Sequence, residues 1–92
     1  MSQAAPPAQA EPATPVLATY PFDARAIAKR FRHAAIFGAL EALGPGEAMR
    51  FVNDHNPLPL LRQMSEHFGE TVVVEYRENC EAGVVIDFIK VA

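Results

Sequence analysis

Ninety-two residues allow a single domain, and residues 1–15 add little to it: nine of these fifteen are Ala or Pro, and Glu11 is their only charged side chain. Such a stretch buries too little apolar surface to offset its ordering entropy, so residues 1–15 are expected to form a disordered tail and residues 16–92 one two-layer domain. A net charge of −3 argues against a nucleic-acid partner, because affinity for a phosphate backbone depends on massed Lys and Arg.

Residues 16–20 form a short β-prone run closed by Pro21, which restricts it to a strand that ends there or lies at a sheet edge. Asp23 follows as a turn or cap residue, and the spacing then predicts a helix over residues 30–43, with Ile36, Phe37, Leu40 and Leu43 on one stripe. Ile27 lies out of phase with that stripe and belongs to an irregular segment before the helix. His33 lies one turn before Ile36 and Phe37, so it should face inward or sit at the rim of the core. Gly44-Pro45-Gly46 stops the helix, with Gly44 expected as the left-handed cap.

Residues 47–53 alternate, Met49 and Phe51 against Arg50 and Val52, as a strand does. The turn Asn53-Asp54-His55-Asn56-Pro57 leads into a second helix over residues 58–68, whose apolar stripe is Leu60, Leu61, Met64 and Phe68. Proline is tolerated in a first helical turn, Asn56 is the expected cap, and Gly69 ends the helix. Residues 71–77 and 84–91 read as strands joined by a polar hairpin loop over residues 78–83.

The order is β-α-β-α-β-β. Right-handed crossovers make the first two strands parallel neighbours with both helices on one face, and the last two strands pair antiparallel. The expected fold is therefore α+β, a two-layer sandwich with a four-stranded mixed sheet. The last strand is apolar on both sides, Val84, Ile86 and Phe88 against Val85, Ile89 and Val91. Either it is a central strand of a small core, or the outer face is covered by a homodimer or a partner domain.

Ligands of open α/β sheets bind beyond the carboxyl ends of parallel strands, where helix starts point the same way. This brings the turn after the first strand, with Asp23, Arg25, Arg32 and His33, beside the turn after the second, with Asn53, Asp54 and His55. If the third strand is parallel to these two, Glu78 and Cys80 open at the same edge. The local cluster Arg25, Lys29, Arg30 and Arg32 reads as a solvated helix start or a small-anion site. His33 and His55, with Asp54 or Cys80 nearby, would suit a transition metal such as iron or copper, although no CxxC or HExxH spacing is present. His67, on the flank of the second helix, reads as solvated.

Cys80 is the only cysteine, so no internal disulfide forms and a reducing cytoplasm fits. No run of ~18 apolar residues crosses a membrane, and no basic leader with an apolar stretch opens the chain. Nucleophilic use of Cys80 has no supporting motif, no carboxylate pair marks a cleft, and no Gly-rich phosphate loop occurs. The residues thus describe a non-catalytic binding domain. The rivals are an enzyme or sulfur carrier using Cys80, which is expected to be dispensable, and a structural interaction module.

The segments Phe22-Asp23-Ala24-Arg25, Arg32-His33-Ala34-Ala35-Ile36-Phe37, Leu43-Gly44-Pro45-Gly46-Glu47 and Val52-Asn53-Asp54-His55-Asn56-Pro57-Leu58-Pro59-Leu60 resemble the family called domain of unknown function 2249. That resemblance covers about residues 16–92 and implies the sandwich of the TusA and SirA sulfur carriers. It also implies an accessory role around redox metals, nitrogen-oxide metabolism or a hemerythrin-like partner. The sulfur carriers place a Cys-Pro at the opening of helix one, where the helix dipole favours a thiolate. Lys29-Arg30 occupies that place here, which weakens a sulfur-relay reading.

Overall fold

A computed structural model describes residues 14–92. Its elements are β1 (Ala18–Asp23), α1 (Lys29–Ala42), β2 (Glu47–Asn53), α2 (Leu58–Phe68), β3 (Val72–Cys80) and β4 (Gly83–Lys90), with short 3₁₀ turns at Ala24–Ala26 and Gly69–Thr71. The order is the expected β-α-β-α-β-β, and the fold is α+β. One four-stranded sheet runs β1-β2-β4-β3. β1 is parallel to β2, and β4 is antiparallel to both β2 and β3. β3 therefore points the same way as β1 and β2, which opens the β3–β4 turn at the end of the sheet where both helices begin.

The core lies between the sheet and one layer of two helices. Met49 and Phe51 of β2 and Val84, Ile86 and Phe88 of β4 meet Ile36 and Leu40 of α1 and Met64 of α2. Period-two alternation puts these strand residues on one face, and the 3.6-residue period puts the helix residues on facing stripes. Phe51 and Phe88 pack at the centre with ring centroids 5.3 Å apart. No helix among the described residues is long and apolar enough to cross a membrane.

Several boundaries differ from expectation for identifiable reasons. β1 runs through Pro21 to Asp23 rather than stopping at Tyr20. As an edge strand it pairs only with β2, so the missing proline N–H can face away from the ladder. The positive φ after α1 belongs to Gly46 (φ 90), not Gly44. α1 ends with Leu43 extended, and Gly44 N–H donates to Glu47 Oε1 at 2.8 Å. Asn56 does not cap α2: Pro57 is the cap residue, and Asn56 Oδ1 accepts from the Tyr76 hydroxyl at 2.6 Å. The hairpin is tighter than a six-residue loop, because β3 continues to Cys80, which pairs with Gly83. Gly83 must be glycine, with φ 147 and a position where a Cβ would lie 2.5 Å from the Asn53 carbonyl oxygen.

β4 is central, as its apolar sides suggested. On the face away from the helices, Asp87 is 4% exposed and held by Arg50 through two contacts, Nε–Oδ1 at 2.8 Å and Nη2–Oδ2 at 2.9 Å. Arg77 Nε adds a third at 3.4 Å. The same face is crossed by the chain itself: Thr14 N–H donates to Glu75 Oε2 at 3.1 Å, and Leu17 N–H donates to Gly46 O at 2.7 Å. Residues 14–17 thus run from β3 to the start of β2, over the end of the sheet where Ala48 and Ile89 are buried. Residues 1–13 of the expected tail lie outside the described residues, whereas Thr14 and Pro15 belong to this crossing.

Candidate functional site

Both helices start at the carboxyl end of the parallel strands. After β1 the chain makes a 3₁₀ turn capped by Asp23, whose Oδ1 accepts from Arg25 N–H at 3.0 Å. Ile27 is extended, and α1 then starts at Lys29 from Ala28, with no side-chain cap. α2 starts from Pro57, also with no side-chain cap. Between these two starts lies a cavity of about 280 Å³. Its floor is Ala24, Ile36, Phe51, Asn53 and Pro57, all buried, and its rim is Lys29, His33, His55 and Gln63, all exposed. Arg32 and Leu60 lie between floor and rim.

Four of the residues expected at a site share this cavity: Arg32, His33, Asn53 and His55. Arg32 is fixed by its Nε donating to Ile27 O at 2.8 Å, which leaves its terminal nitrogens for a ligand. His33 stacks on Phe37, ring centroids 4.4 Å apart, and its Nε2 is 3.0 Å from Gln63 Oε1. It occupies the rim rather than the interior. His55 Nδ1 is 2.7 Å from Asp54 Oδ1, and the residue lines the cavity rim. Asn53 Nδ2 donates to His55 O at 3.0 Å, tying the turn to the end of β2.

Asp23 and Arg25 are not brought into the cavity. They hold each other through Nε–Oδ1 and Nη2–Oδ2, both 2.8 Å. That guanidinium, first through its hydrogen bond, pulls the Asp23 carboxyl down to about 2. Asp54 is lowered as well, first by the hydrogen bond with His55. The Arg32 charge lowers both carboxyls further. The cavity wall itself carries two cations, Lys29 and Arg32, and the Asp54 carboxylate stands beside His55 in the adjoining turn.

The Asp23–Arg25 pair sets a pH prediction. Because the folded-state pKa of Asp23 lies below its ordinary value of 3.8, any stability it contributes is complete above that value and lost as pH falls through about 2. Carboxyl-carbon NMR should show Asp23 titrating near 2 in the wild type and returning toward 3.8 in Arg25→Gln. An unchanged midpoint in the variant would show that Arg25 does not cause the shift.

Cys80 is exposed and lines a separate recess with Arg25, Glu78 and Gly83 on the far side of Asn53. It lies at neither helix start. Among the described residues, no group of three or more His, Cys, Asp or Glu side chains is arranged to hold a metal ion. His67 is exposed, with Nε2 3.2 Å from Glu41 Oε2. Gln63 lies off the apolar stripe of α2, and its contact with His33 is not legible in the sequence, since the approach of one helix to another is not written in either helix's own period. Lys29 was visible as part of the basic cluster.

Fold and site together define a small two-layer α+β domain with one cation-rimmed, apolar-floored cavity between two helix starts. The chain belongs to the family described as Uncharacterized conserved protein (DUF2249), which matches residues 21–90. No curated protein and no solved structure matches the chain.

Proposed function

We propose that this domain is a non-catalytic module that binds a small organic monoanion in the cavity between α1 and α2. The observation that carries this reading is that two helices without side-chain caps start on one cavity whose wall also holds Arg32 and Lys29. Helix starts carry partial positive charge that favours an anion. Here the N–H of Leu58 donates to Asn56 O, Pro59 has none and that of Phe31 donates to Ala28 O, so this charge together with Lys29 and Arg32 supplies the attraction. Two cations, Lys29 and Arg32, line the cavity and the Asp54 carboxylate stands in the turn beside it, a balance that suits one negative charge. Ile36, Phe51, Pro57 and Leu60 offer an apolar surface to the rest of the ligand. At about 280 Å³ the space is below the ~300 Å³ at which drug-sized sites begin.

Iron or copper has less support, since the two imidazoles have no third metal-ligating side chain grouped with them among the described residues. Sulfur carriage has less again. The helix start that would favour a thiolate carries Lys29 and Arg30, and Cys80 sits at the end of β3. A module without catalytic groups acts through a partner, and the family resemblance implies a redox or hemerythrin-like protein, or a second copy of the chain, in that role.

Titration calorimetry with short carboxylates, propionate and lactate as probes, tests the reading. Arg32→Gln should weaken binding by about 10- to 100-fold, the range set by losing a charged hydrogen bond, with the domain still folded and its melting temperature lowered only by the loss of the Nε–Ile27 O bond. Equal affinity in wild type and variant would remove Arg32, and with it this cavity, from the account.

A further inference from the structure

One polar atom in the cavity floor has no partner. Asn53 is 6% exposed, and its Oδ1 is a buried side-chain oxygen without a hydrogen bond. The amide cannot be turned over to remove the problem: Nδ2 donates to His55 O, and a reversed amide would set two acceptors against each other. Its position in β2 matches that of Met49 and Phe51, so the side chain points to the helix side of the sheet, where it lines the cavity beside Phe51. A buried acceptor left unsatisfied costs about 1–3 kcal/mol, and such groups in native proteins usually mark an unseen partner.

We infer, resting on the anion-binding reading above, that the ligand is a small hydroxy carboxylic acid, with its carboxylate at Arg32 and the helix starts and its hydroxyl donating to Asn53 Oδ1. The oxygen is neutral and lies among cations, so it calls for an uncharged donor. An ammonium group would add a positive charge beside Lys29 and Arg32. The hydroxyl must lie close to the carboxylate, because Asn53 and Arg32 line one cavity of about 280 Å³. Oδ1 is covered, so the contact requires a small turn about the last side-chain torsion, one that keeps the Nδ2–His55 O bond.

The test compares lactate with propionate, which lacks the hydroxyl, on the full chain by calorimetry at one pH and ionic strength, with L-alanine as a third probe. Lactate should bind about tenfold tighter than propionate, the effect of one hydrogen bond to a buried acceptor, and Asn53→Val should bring the ratio to about one. Equal binding of the two acids by the wild type would overturn the inference while leaving the anion site standing, as expected if a trapped water serves Oδ1. No binding of either acid would instead overturn the anion-binding reading itself. A tenfold preference that survives in folded Asn53→Val would assign the hydroxyl to another group, and alanine binding tighter than lactate would replace the hydroxy acid with a zwitterion; either result overturns the inference. Should Asn53→Val not fold, the wild-type comparison of lactate with propionate decides alone.

Discussion

Phe51→Ala is expected to destabilise the domain by about 3–5 kcal/mol, the range for removing a fully buried aromatic ring. Phe51 is 1% exposed, stands in one of the two inner strands, and touches the rings of Phe22 and Phe88 at centroid distances of 6.3 and 5.3 Å. Its neighbours come from β1, β4 and both helices, so no single element can collapse into the space it leaves. Small domains have a total stability of only about 5–15 kcal/mol, and each kcal/mol lowers the melting temperature of a domain this size by ~4–8 °C. A fall of more than about 12 °C follows, measurable by far-ultraviolet circular dichroism. Phe51 is also cavity floor, so the variant should lose ligand binding together with stability. A fall of only one or two degrees would place the centre of the core elsewhere.

Arg50→Ala is the second large effect, about 2–3 kcal/mol by chemical denaturation. Removing one partner of a buried ion pair costs about 3–5 kcal/mol because the other charge is left uncompensated. The expectation here is lower since the Arg50 side chain is 42% exposed and partly screened. Asp87 is buried, and the variant leaves it only the longer contact to Arg77 at 3.4 Å. Arg77→Ala should cost under about 1 kcal/mol, as exposed pairs do. The double variant Arg50→Met/Asp87→Leu should recover much of the loss, because a well-packed apolar pair can replace a buried ionic one. A single Arg50→Ala variant as stable as wild type would mean that water already satisfies Asp87.

The fold was legible wherever one element's own period decides the matter. Leu60, Leu61, Met64 and Phe68 gave α2 its limits, and the alternation of Met49 and Phe51 with Arg50 gave β2 its inner face. α1 was harder, since its first turn carries an apolar side chain, Phe31, that lies off the stripe of Ile36, Phe37, Leu40 and Leu43 and is 56% exposed, with Arg30 over its ring at 5.1 Å. Pro21 obscured β1 because tolerance of proline depends on the strand having one neighbour, a property of the sheet and not of the segment. The Arg50–Asp87 pair could not be read at all. The residues are 37 positions apart, and they meet only because β4 lies between β2 and β3.

Half of the site followed from a topological rule. Parallel β1 and β2 put the turns after them side by side, which is why Arg32, His33, Asn53 and His55 share a cavity. Asp23 and Arg25 were placed by the same rule, but a two-residue spacing around a 3₁₀ turn let them pair with each other. The hydrogen bond of Asn53 Nδ2 to His55 O, and the unpartnered Oδ1 it leaves, depend on a turn geometry that the residue types alone do not specify.

Anion binding between the starts of α1 and α2 can be followed residue by residue through amide chemical shifts during a lactate titration of the ¹⁵N-labelled chain. Saturable shifts should fall on Lys29, Arg32, His33, Asn53, His55 and Leu60. Shifts absent at saturating lactate, or confined to cations away from the cavity such as Arg62 and Arg77, would contradict it.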